Sequence, residues 1–499
     1  MTMASPHYLQ ARKLLDDFRS GLATPDRLQR MASDLIGKDV NIVGPFGSKR
    51  LVYADYVASG RALMGVEQFI LSNVLPYYAN SHTEASYCGG AMTGFRRAAR
   101  ETVAASCGAT ADHAVIFTGS GATSGLNRLV NLLGVTAGMS AGARPRVVIG
   151  PYEHHSNILP WRESGAEIVE IAEAASGGPN LDELDAALAG AGGRLVVCAL
   201  SAASNVTGIV ADVGALTKRV KAAGAKMVWD YAGAGPYLPI AMEPAPGALI
   251  DAVVVSPHKF IGGPAASGIL IVRRDAVDVT KPTWPGGGTV KFVTPTEHDY
   301  SDSLEVREES GTPNVVGDIR AALAFLVKDA IGVETAAKRN AEVRARVLAA
   351  WSGLERLELL GNTQAESLPI FSFRIKDGSG GYIHQQLVTR MLSDRFGIQA
   401  RGGCACAGPY VHRLLHIDDE ESRTLRQVIA EGDEIRKPGF TRLNFSVLLP
   451  DDKVDFILGS VAQLASDAPA FVGRYSVDVS RAIFFPRNAE TTQVFSEAS

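Results

Sequence analysis

The sequence predicts an α/β fold, in which a mainly parallel β-sheet is covered by helices and a smaller α+β domain follows. Six short apolar runs recur between residues 115 and 273, and helical patterns separate several of them. Strands buried on both faces are continuous apolar runs, and their alternation with helices is typical of a parallel sheet. Beyond residue 368, two runs alternate between apolar and polar residues, as half-buried strands do.

The elements of the large sheet can be placed in order. An amphipathic helix is predicted over residues 8–19, because Leu14, Leu15 and Phe18 share one stripe. The predicted strands of the sheet follow at 115–118, 146–150, 195–200, 226–230, 252–256 and 269–273, and helices are predicted at 181–188 and 213–223. Ligands of such sheets bind where the carboxyl ends of the strands meet the loops, so functional residues are expected there.

A long helical stretch, predicted from Val316 to about Trp351, leads into the second domain. There, half-buried strands are predicted at 369–375 and 441–447, with a helix over 383–396 between them. We therefore expect an N-terminal extension, a large domain, a small C-terminal domain and a tail, over residues 1–50, 51–325, 326–475 and 476–499.

Composition excludes several classes of protein. The 499 residues are 46% apolar and carry a net charge of −4, which leaves no basic face for nucleic acid. The start of the chain lacks a continuous apolar signal segment, and no apolar run is long enough to span a bilayer. We expect a cytoplasmic protein without nucleic-acid or membrane partners. Its five cysteines make no disulfide framework, so reduced thiols are expected.

Lys259 is the strongest indication of chemistry. It follows the predicted strand 252–256 in the run S-P-H-K, and Gly262 and Gly263 come just beyond it. An amine at the carboxyl end of a buried strand is partly desolvated, which favours the neutral form that condenses with a carbonyl. Lys259 is therefore a candidate Schiff-base former, although a lysine that merely ends a strand at the surface gives the same local pattern.

Asp230 and a small-residue loop are expected at the same edge of the sheet. Asp230 ends strand 226–230, where a carboxylate could keep the nitrogen of pyridoxal phosphate protonated, or could simply cap a helix. The loop T-G-S-G-A-T-S-G-L-N at 118–127 leads into a helix, so its amides, with Ala122 among them, and the Thr123 hydroxyl could hold a phosphate. Further donors could come from Ser256 and His258. The glycine spacing matches neither the dinucleotide fingerprint nor the P-loop.

Two other side chains are candidates for holding organic groups. His154, in E-H-H-S-N-I-L-P-W at 153–161, could stack on a cofactor ring. It could instead be half of a capped, solvent-bonded histidine pair, while adjacent histidines on an extended segment make poor metal ligands. Arg442 could bind an amino acid's carboxylate through two parallel hydrogen bonds, or form a structural ion pair.

The run R-G-G-C-A-C-A-G-P-Y at 401–410 places two cysteines among small residues that permit an exposed turn. Exposed thiols in flexible loops are candidate nucleophiles. The spacing of Cys404, Cys406, His412 and His416 also fits a zinc site, and both interpretations stay open at this point.

Taken together, these segments resemble the class V aminotransferase group of pyridoxal phosphate enzymes, and within it the type II cysteine desulfurases and the desulfurase domain of molybdenum cofactor sulfurases. The resemblance covers residues 51–447. Its most specific motifs are E-H-H-S-N-I-L-P-W, S-P-H-K followed by G-G-P, W-P-G-G-G-T at 284–289 and E-S-G-T-P-N at 309–314. It implies fold type I, pyridoxal 5′-phosphate bound in the large domain, and a homodimer whose active site lies at the subunit boundary, with G-T-P-N helping to bind the phosphate.

The resemblance also implies roles for single residues. Lys259 would form the Schiff base, Asp230 would pair with the pyridinium, and His154 would stack on the ring. The residues that would hold the phosphate are Ala122, Thr123, Ser256, His258 and Thr312. Those that would contact the substrate are Asn205, which also lies near the cofactor oxygen, Arg442, Arg401 and His82. Cys406 matches the nucleophilic cysteine, and Cys404 matches a second cysteine of molybdenum cofactor sulfurases.

This pattern implies a cysteine desulfurase-like transferase of sulfur metabolism, which converts L-cysteine to L-alanine, forms a persulfide on Cys406 and passes sulfur to a possible protein acceptor. Two departures keep an alternative open. Gly233 replaces a glutamine that donates to the ring oxygen, and Thr83 replaces an arginine. A class V lyase, epimerase or aminotransferase acting on another amino acid is that alternative. A cofactor-free scaffold or sulfur-relay partner is disfavoured, because Lys259, Asp230 and His154 occur together.

Overall fold

A computed structural model describes residues 5–81 and 83–487, and the chain divides into two compact units. The first unit comprises Met1–Ile36, Tyr56–Asn205 and Ile209–Lys338, and the second comprises Gly37–Asp55, Val206–Gly208 and Arg339–Ser499. Residues 37–55 belong to the second unit because Val52–Tyr53 pairs in parallel with Ile398–Gln399. The four segments predicted from the sequence stay a prediction.

The strands and helices of the described residues are numbered along the chain. The strands are β1 (Asn41–Gly44), β2 (Gly47–Arg50), β3 (Val52–Tyr53), β4 (His113–Gly119), β5 (Arg146–Ile149), β6 (Glu167–Glu170), β7 (Val196–Ser201), β8 (Lys226–Asp230), β9 (Ala252–Val255), β10 (Gly268–Arg273), β11 (Val290–Val293), β12 (His298–Tyr300), β13 (Leu357–Leu359), β14 (Ile370–Ile375), β15 (Ile398–Gln399), β16 (Arg401–Gly403), β17 (Phe440–Asn444), β18 (Tyr475–Asp478) and β19 (Ile483–Pro486). The α-helices are α1 (Pro6–Leu22), α2 (Arg27–Asp34), α3 (Met64–Phe69), α4 (Tyr87–Ser106), α5 (Gly121–Leu132), α6 (Val135–Ser140), α7 (Leu159–Glu163), α8 (Leu181–Ala189), α9 (Val213–Ala222), α10 (Leu304–Glu308), α11 (Val315–Ile331), α12 (Val333–Trp351), α13 (Gln385–Phe396), α14 (Gly408–Leu414), α15 (Asp419–Ala430) and α16 (Asp451–Val472).

The first unit is built on a seven-stranded sheet with the order β4-β10-β9-β8-β7-β5-β6. Strands β5 to β9 are parallel, whereas β10 runs antiparallel to both β4 and β9. The predicted mainly parallel sheet is therefore confirmed, and the six predicted strands match β4, β5, β7, β8, β9 and β10. The edge strand β6 was not predicted, because E-I-V-E is a short run with a charge at each end.

The sheet is held by apolar side chains on both faces. All four residues of β9 are fully buried, as are Val147 to Ile149 of β5. One cluster joins Val254 and Val147 to Leu126, Leu129 and Trp161 of the covering helices. Such burial stabilises by roughly 25 cal/mol per Å² of apolar surface, so it fixes the strand ends that carry the candidate site.

The second unit contains a four-stranded antiparallel sheet with the order β13-β14-β17-β16. Its core is a cluster that includes Trp351, Phe371, Phe373 and residues of α13 and α16. The predicted strands at 369–375 and 441–447 are β14 and β17. Strands β18 and β19 form a hairpin, while residues 488–499 of the predicted tail lie outside the described residues.

The predicted helical stretch from Val316 to Trp351 is helical in the structure, as the two helices α11 and α12. Gly332 separates them with a φ of 84°, a left-handed value that cannot continue a right-handed helix. Among the described residues, no helix combines the length and apolar character that crossing a membrane requires.

Candidate active site

Lys259 lies in a tight turn at the carboxyl end of β9. It ends the single 3-10 turn Pro257–Lys259, and its amide donates to the Ser256 carbonyl over 2.9 Å. A Cβ at Gly263 would lie 1.9 Å from the Pro257 carbonyl oxygen, so only glycine allows this approach. The G-G-P that follows the lysine thus shapes the turn that holds the half-buried Lys259 at the sheet edge.

Asp230 ends the neighbouring strand β8 and is only 4% exposed. Its Oδ1 accepts a hydrogen bond from the Ala232 amide over 2.7 Å. Burial raises the pKa of Asp230, and the Ala232 amide and the charge of Lys259 oppose that rise. The structure therefore brings Asp230 and Lys259 to one edge of the sheet, close enough for their charges to interact, as the sequence predicted.

The predicted phosphate donors also gather at this edge. The Ala122 amide, in the first turn of α5, donates to Ser256 Oγ over 2.9 Å. A Cβ at Gly121, whose φ is 62°, would lie 2.8 Å from the His258 ring and 3.0 Å from Ser256 Oγ. Burial, helped by the charge of Lys259, lowers the pKa of His258 to about 4. His258 is therefore neutral at pH 7, with one ring N–H to donate.

His154 lies next to the Thr123 end of this group. Its Nδ1 accepts the Ser156 amide over 3.1 Å, so it caps the single turn His155–Asn157. Ser156 Oγ is 2.7 Å from Thr123 Oγ1 and 3.1 Å from His154 Nδ1. The capping role that the sequence left as an alternative is thus present, and it fixes the orientation of the half-buried imidazole.

Asn205 is buried beside Gly233, the position that departs from the family pattern. A Cβ at Gly233 would meet the Asn205 Cβ at 3.5 Å and the Ala203 carbonyl oxygen at 3.7 Å, which are ordinary van der Waals contacts. The backbone at Gly233 therefore admits a Cβ without a clash, so close packing does not require glycine at this position. The other departure, Thr83, is exposed, while His82 lies outside the described residues.

Thr312 is exposed in the loop between α10 and α11, and buried charges anchor that loop. The carboxylate of Glu309 accepts hydrogen bonds from Arg96 over 2.6 Å, from Arg100 over 2.7 and 2.9 Å, and from the Phe117 amide of β4 over 2.8 Å. Burial raises the pKa of Glu309, but the two arginines outweigh it and hold the pKa below its usual range. Glu309 thus ties the E-S-G-T-P-N segment to the central sheet.

Glu309→Gln is expected to lower the free energy of unfolding by about 3 kcal/mol, because it removes the paired carboxylate of Arg100 and leaves the buried Arg96 with Asp318 as its remaining partner. Urea denaturation measures the loss. Glu305→Gln, on α10 directly before Glu309, is the matched control. Its partner Arg274 is 42% exposed, so a loss of at most about 1 kcal/mol is expected. Equal losses in the two variants would contradict this role of Glu309.

In the second unit, the two predicted substrate-binding arginines share one carboxylate. Arg442 on β17 is buried, and its Nη2 donates to Asp55 Oδ1 over 3.0 Å. Arg401 on β16, directly opposite Arg442 in the register, is half exposed and donates through Nε to Asp55 Oδ2 over 2.9 Å. The structural ion pair is thus present. The two arginines carry two positive charges and Asp55 carries one negative charge. The cluster therefore has a net charge of +1, which suits a carboxylate ligand.

The two cysteines of the predicted thiol loop lie between β16 and α14. Cys406 is exposed and Cys404 is half-buried. Ala405 and Cys406 both have left-handed backbones, with φ of 50° and 55°, which costs a non-glycine residue roughly 1 kcal/mol or more. Cys107, in the first unit, is buried instead. Its burial raises the pKa of the thiol to about 12, which keeps that thiol protonated. The loop thus presents Cys406 to solvent.

The alternative of a zinc site at this loop has no support. Both ring nitrogens of His412 are hydrogen-bonded, to the Gly408 carbonyl over 2.8 Å and to Ser422 Oγ over 3.0 Å. Within residues 5–81 and 83–487, no three His, Cys, Asp or Glu side chains gather as metal ligands.

Comparison with known proteins decides the family. The model of the class-V aminotransferases matches residues 52–429, which is most of the chain. The chain belongs to the class-V aminotransferase family. The family predicted from the motifs is confirmed, and because its members are pyridoxal phosphate enzymes, this class-V protein is a pyridoxal phosphate-dependent enzyme.

Its relatives agree with this assignment. The chain is 31% identical over 320 residues to a probable cysteine desulfurase 2 of Mycobacterium leprae, covering 63% of this chain and 72% of that protein. Among solved structures, the apo cysteine desulfurase of Thermococcus onnurineus NA1 is similar with a TM-score of 0.69 at 24% identity, over 83% of this chain and 95% of that one. The cysteine desulfurase CsdA of Escherichia coli has a TM-score of 0.68 at 20% identity, over 88% and 98%. The predicted fold type I is confirmed.

The class-V chain also has buried carboxylates near the candidate residues that the sequence did not single out. They are Asp55, Glu153 and Glu309, each less than 10% exposed. The sequence pattern around two of them could have indicated burial. Asp55 interrupts the apolar run L-V-Y-A-D-Y-V-A, and Glu153 directly precedes the histidine pair. An acid in such a setting is buried only when it is paired or hydrogen-bonded.

Proposed function

We propose that this enzyme is a pyridoxal phosphate-dependent cysteine desulfurase, which converts L-cysteine to L-alanine and collects the sulfur on Cys406. The observation that carries the proposal is the common sheet edge of Lys259 and Asp230, an amine and a buried carboxylate whose charges interact. The similarity to probable cysteine desulfurases of M. leprae and Staphylococcus aureus supports cysteine as the substrate.

The residues at that edge suit pyridoxal phosphate. The first turn of α5, with Gly121 and Ala122, adjoins Ser256 and neutral His258, a set of uncharged donors appropriate to a phosphate. Gly121 leaves room that a Cβ would fill. Asp230 is the buried acid that a pyridinium nitrogen needs as its partner. Of the other predicted cofactor contacts, Thr123, His154 and Asn205 belong to the same unit, as does Thr312.

In the proposed reaction, bound pyridoxal phosphate supplies an electron sink conjugated to the substrate's α-carbon. Lys259 would hold the cofactor covalently, and its amine, when free, would take the α-proton from the substrate and later return a proton to the α-carbon of the product. Asp230 would keep a proton on the ring nitrogen, and His154 would lie against the ring. The tight turn around Lys259 limits where its amine can reach.

Cys406 performs the sulfur transfer in this proposal. Its thiolate attacks the substrate sulfur, so that an S–S bond forms while the bond from sulfur to the substrate's β-carbon breaks. The electron pair of the broken bond stays with the β-carbon, which takes a proton and becomes the methyl group of alanine. The enzyme is left with a persulfide on Cys406, ready for transfer to an acceptor thiol.

Arg442 is proposed to bind the substrate carboxylate together with Arg401. Arg442→Lys keeps the positive charge but loses the planar guanidinium group, which can donate two parallel hydrogen bonds to a carboxylate. The KM for cysteine is therefore expected to rise at least about tenfold, with a smaller change in kcat. Steady-state kinetics measure this. Arg374→Lys, on the adjacent strand β14, is the matched control and should leave KM unchanged. A wild-type KM in Arg442→Lys would make Arg442 a purely structural partner of Asp55.

The test of the proposed function is a panel of amino acids incubated with the pure protein, with alanine, sulfide and ketoacid measured in parallel. Alanine and sulfide formed together from cysteine alone support a desulfurase. Ketoacid, racemised substrate or elimination products from another amino acid, with no response to cysteine, would reject it.

The second candidate is a class-V lyase, epimerase or aminotransferase acting on another amino acid. It is favoured by Gly233, which lacks the hydrogen bond that the family's glutamine donates to the ring oxygen. The same panel discriminates between the two candidates. A homodimer, a protein sulfur acceptor and a cytoplasmic location remain predictions from the resemblance and the composition.

A further inference from the structure

A second buried carboxyl lies at the carboxyl edge of the sheet, and the reaction proposed above does not use it. Glu153 follows β5, directly precedes His154 and is 3% exposed. Its Oε1 accepts the Ser201 amide over 2.9 Å, and its Oε2 accepts Ser201 Oγ over 2.6 Å and Asn157 Nδ2 over 2.5 Å. Three donors therefore hold this one carboxylate at the end of β7.

Asn157 is oriented by a further buried contact. The indole N–H of Trp161 donates to Asn157 Oδ1 over 3.0 Å, so the Asn157 amino group must face Glu153. Asn157 and Trp161 are both fully buried. Hydrogen bonds therefore hold the segment on both sides of His154, at Glu153 before it and at Asn157 after it. We call the four hydrogen-bonded residues the network: Trp161, Asn157, Glu153 and Ser201.

The absence of a side chain at Gly150 leaves room for the Glu153 carboxylate. A Cβ at Gly150 would lie 2.8 Å from Glu153 Oε1 and 3.0 Å from the Leu200 side chain. Glycine at this position allows the chain to fold Glu153 back onto the sheet. His154 keeps its own separate contact with the Ser156 amide.

The network ends beside Asp230. Ser201 is the register partner of Asp230 in the parallel pair of β7 and β8, and the Ala202 amide donates to the Asp230 carbonyl over 3.0 Å. Burial raises the pKa of Glu153 to about 7 against the donors from Ser201 and Asn157, and the charge of Asp230 adds to the rise. Glu153 thus links the segment that carries His154, its neighbour in the chain, to Ser201, which lies beside the strand end at Asp230.

We propose that Glu153 is a positioning residue for the cofactor ring, which holds His154 and the Asp230 strand end in fixed relation through Ser201 and Asn157. The inference rests on the proposed function, in which His154 and Asp230 contact pyridoxal phosphate. Glu153 itself touches neither substrate nor cofactor in this account. Loss of its hydrogen bonds loosens the segment that carries His154, so cofactor affinity and the asymmetry of the bound ring both fall.

The chain offers a compensating pair of substitutions. In Glu153→Gln, the new amino group faces the amino group of Asn157, two donors without an acceptor. In Glu153→Gln with Asn157→Asp, the donor and acceptor are exchanged, and the carboxylate introduced by the second substitution still accepts from Trp161. The double variant therefore restores the hydrogen bond between positions 153 and 157 that the single variant breaks, although it loses the longer one, 3.3 Å, from Asn157 to the Ala199 carbonyl. Glu173→Gln is the matched control, because Glu173 accepts a hydrogen bond from Tyr152 of the same segment but belongs to no part of the network.

The experiment titrates the full-length protein, stripped of cofactor, with pyridoxal 5′-phosphate at about pH 8, where Glu153 is ionised. Visible absorbance gives the affinity, and visible circular dichroism reports the asymmetry of the bound ring. Glu153→Gln is expected to bind at least about tenfold more weakly with a reduced dichroic signal, the cost of a broken buried hydrogen bond. The double variant should bind at least about threefold more tightly than Glu153→Gln and recover part of the dichroic signal, and Glu173→Gln should match wild type.

Wild-type affinity and dichroism in Glu153→Gln would overturn the inference while leaving the proposed function intact. The same holds if the double variant folds but binds as weakly as Glu153→Gln. If Glu153→Gln does not fold, the double variant alone decides between recovery and loss. If wild type binds no cofactor, or if its spectrum survives in Lys259→Ala, the proposed function fails and the inference falls with it.

Discussion

Replacement of Lys259 by alanine is expected to lower the rate of alanine formation from cysteine by at least about 10³-fold, because one residue serves both as the covalent attachment point and as the base. Alanine release measures the rate, and borohydride reduction followed by peptide mapping measures covalent attachment of pyridoxal phosphate. In the wild type, the cofactor mass should be found on the peptide that contains Lys259.

The control for this variant is Lys218→Ala, on the exposed side of α9, which should keep wild-type rate and labelling. A cofactor mass that maps to another lysine, or turnover that persists in Lys259→Ala, would show that the S-P-H-K turn is only a structural strand end.

Replacement of Cys406 by alanine should have the second largest effect. Alanine formation from cysteine is expected to fall by at least about 10²-fold, since the substrate sulfur loses its nucleophile, whereas pyridoxal phosphate binding should be unchanged. Parallel measurement of the rate and of the cofactor spectrum separates the two effects. The spectrum should still respond to cysteine, because Lys259 and Asp230 remain.

Two other thiols serve as comparisons. Cys88→Ala, on α4 of the first unit, changes a half-buried cysteine outside the loop and should leave the rate unchanged. Cys404→Ala changes the neighbouring thiol of the same turn. If turnover were lost in Cys404→Ala but kept in Cys406→Ala, the nucleophile would be assigned to the wrong cysteine.

The sequence was sufficient to predict the centre of the sheet, for a physical reason. Strands buried on both faces must be apolar at every position, as A-V-V-V of β9 is, and so they stand out from the helices around them. The edge strand β6 is half-buried at all four positions and lacks that signal. The break between α11 and α12 depends on the positive φ of one residue, Gly332. It could not be predicted because an isolated glycine is often tolerated inside a helix.

The site was predictable where chemistry follows a strand. Lys259 and Asp230 come at or just after strand ends, and the topology of a parallel sheet places those ends at one edge. The buried carboxylates were not predictable, because their partners are distant in sequence. Asp55 meets Arg442 across 387 positions, and Glu309 meets Arg96 across 213. Such pairs exist only once the chain is folded.

The most direct test of the account is peptide mapping after turnover with L-cysteine that carries isotopically labelled sulfur. One additional labelled sulfur atom is expected on the peptide containing Cys406, formed in equal amount with the first alanine released, and no label is expected when Lys259 is replaced by alanine. Alanine formed without a labelled sulfur on Cys406, or no alanine at all from a protein saturated with pyridoxal phosphate, would contradict it.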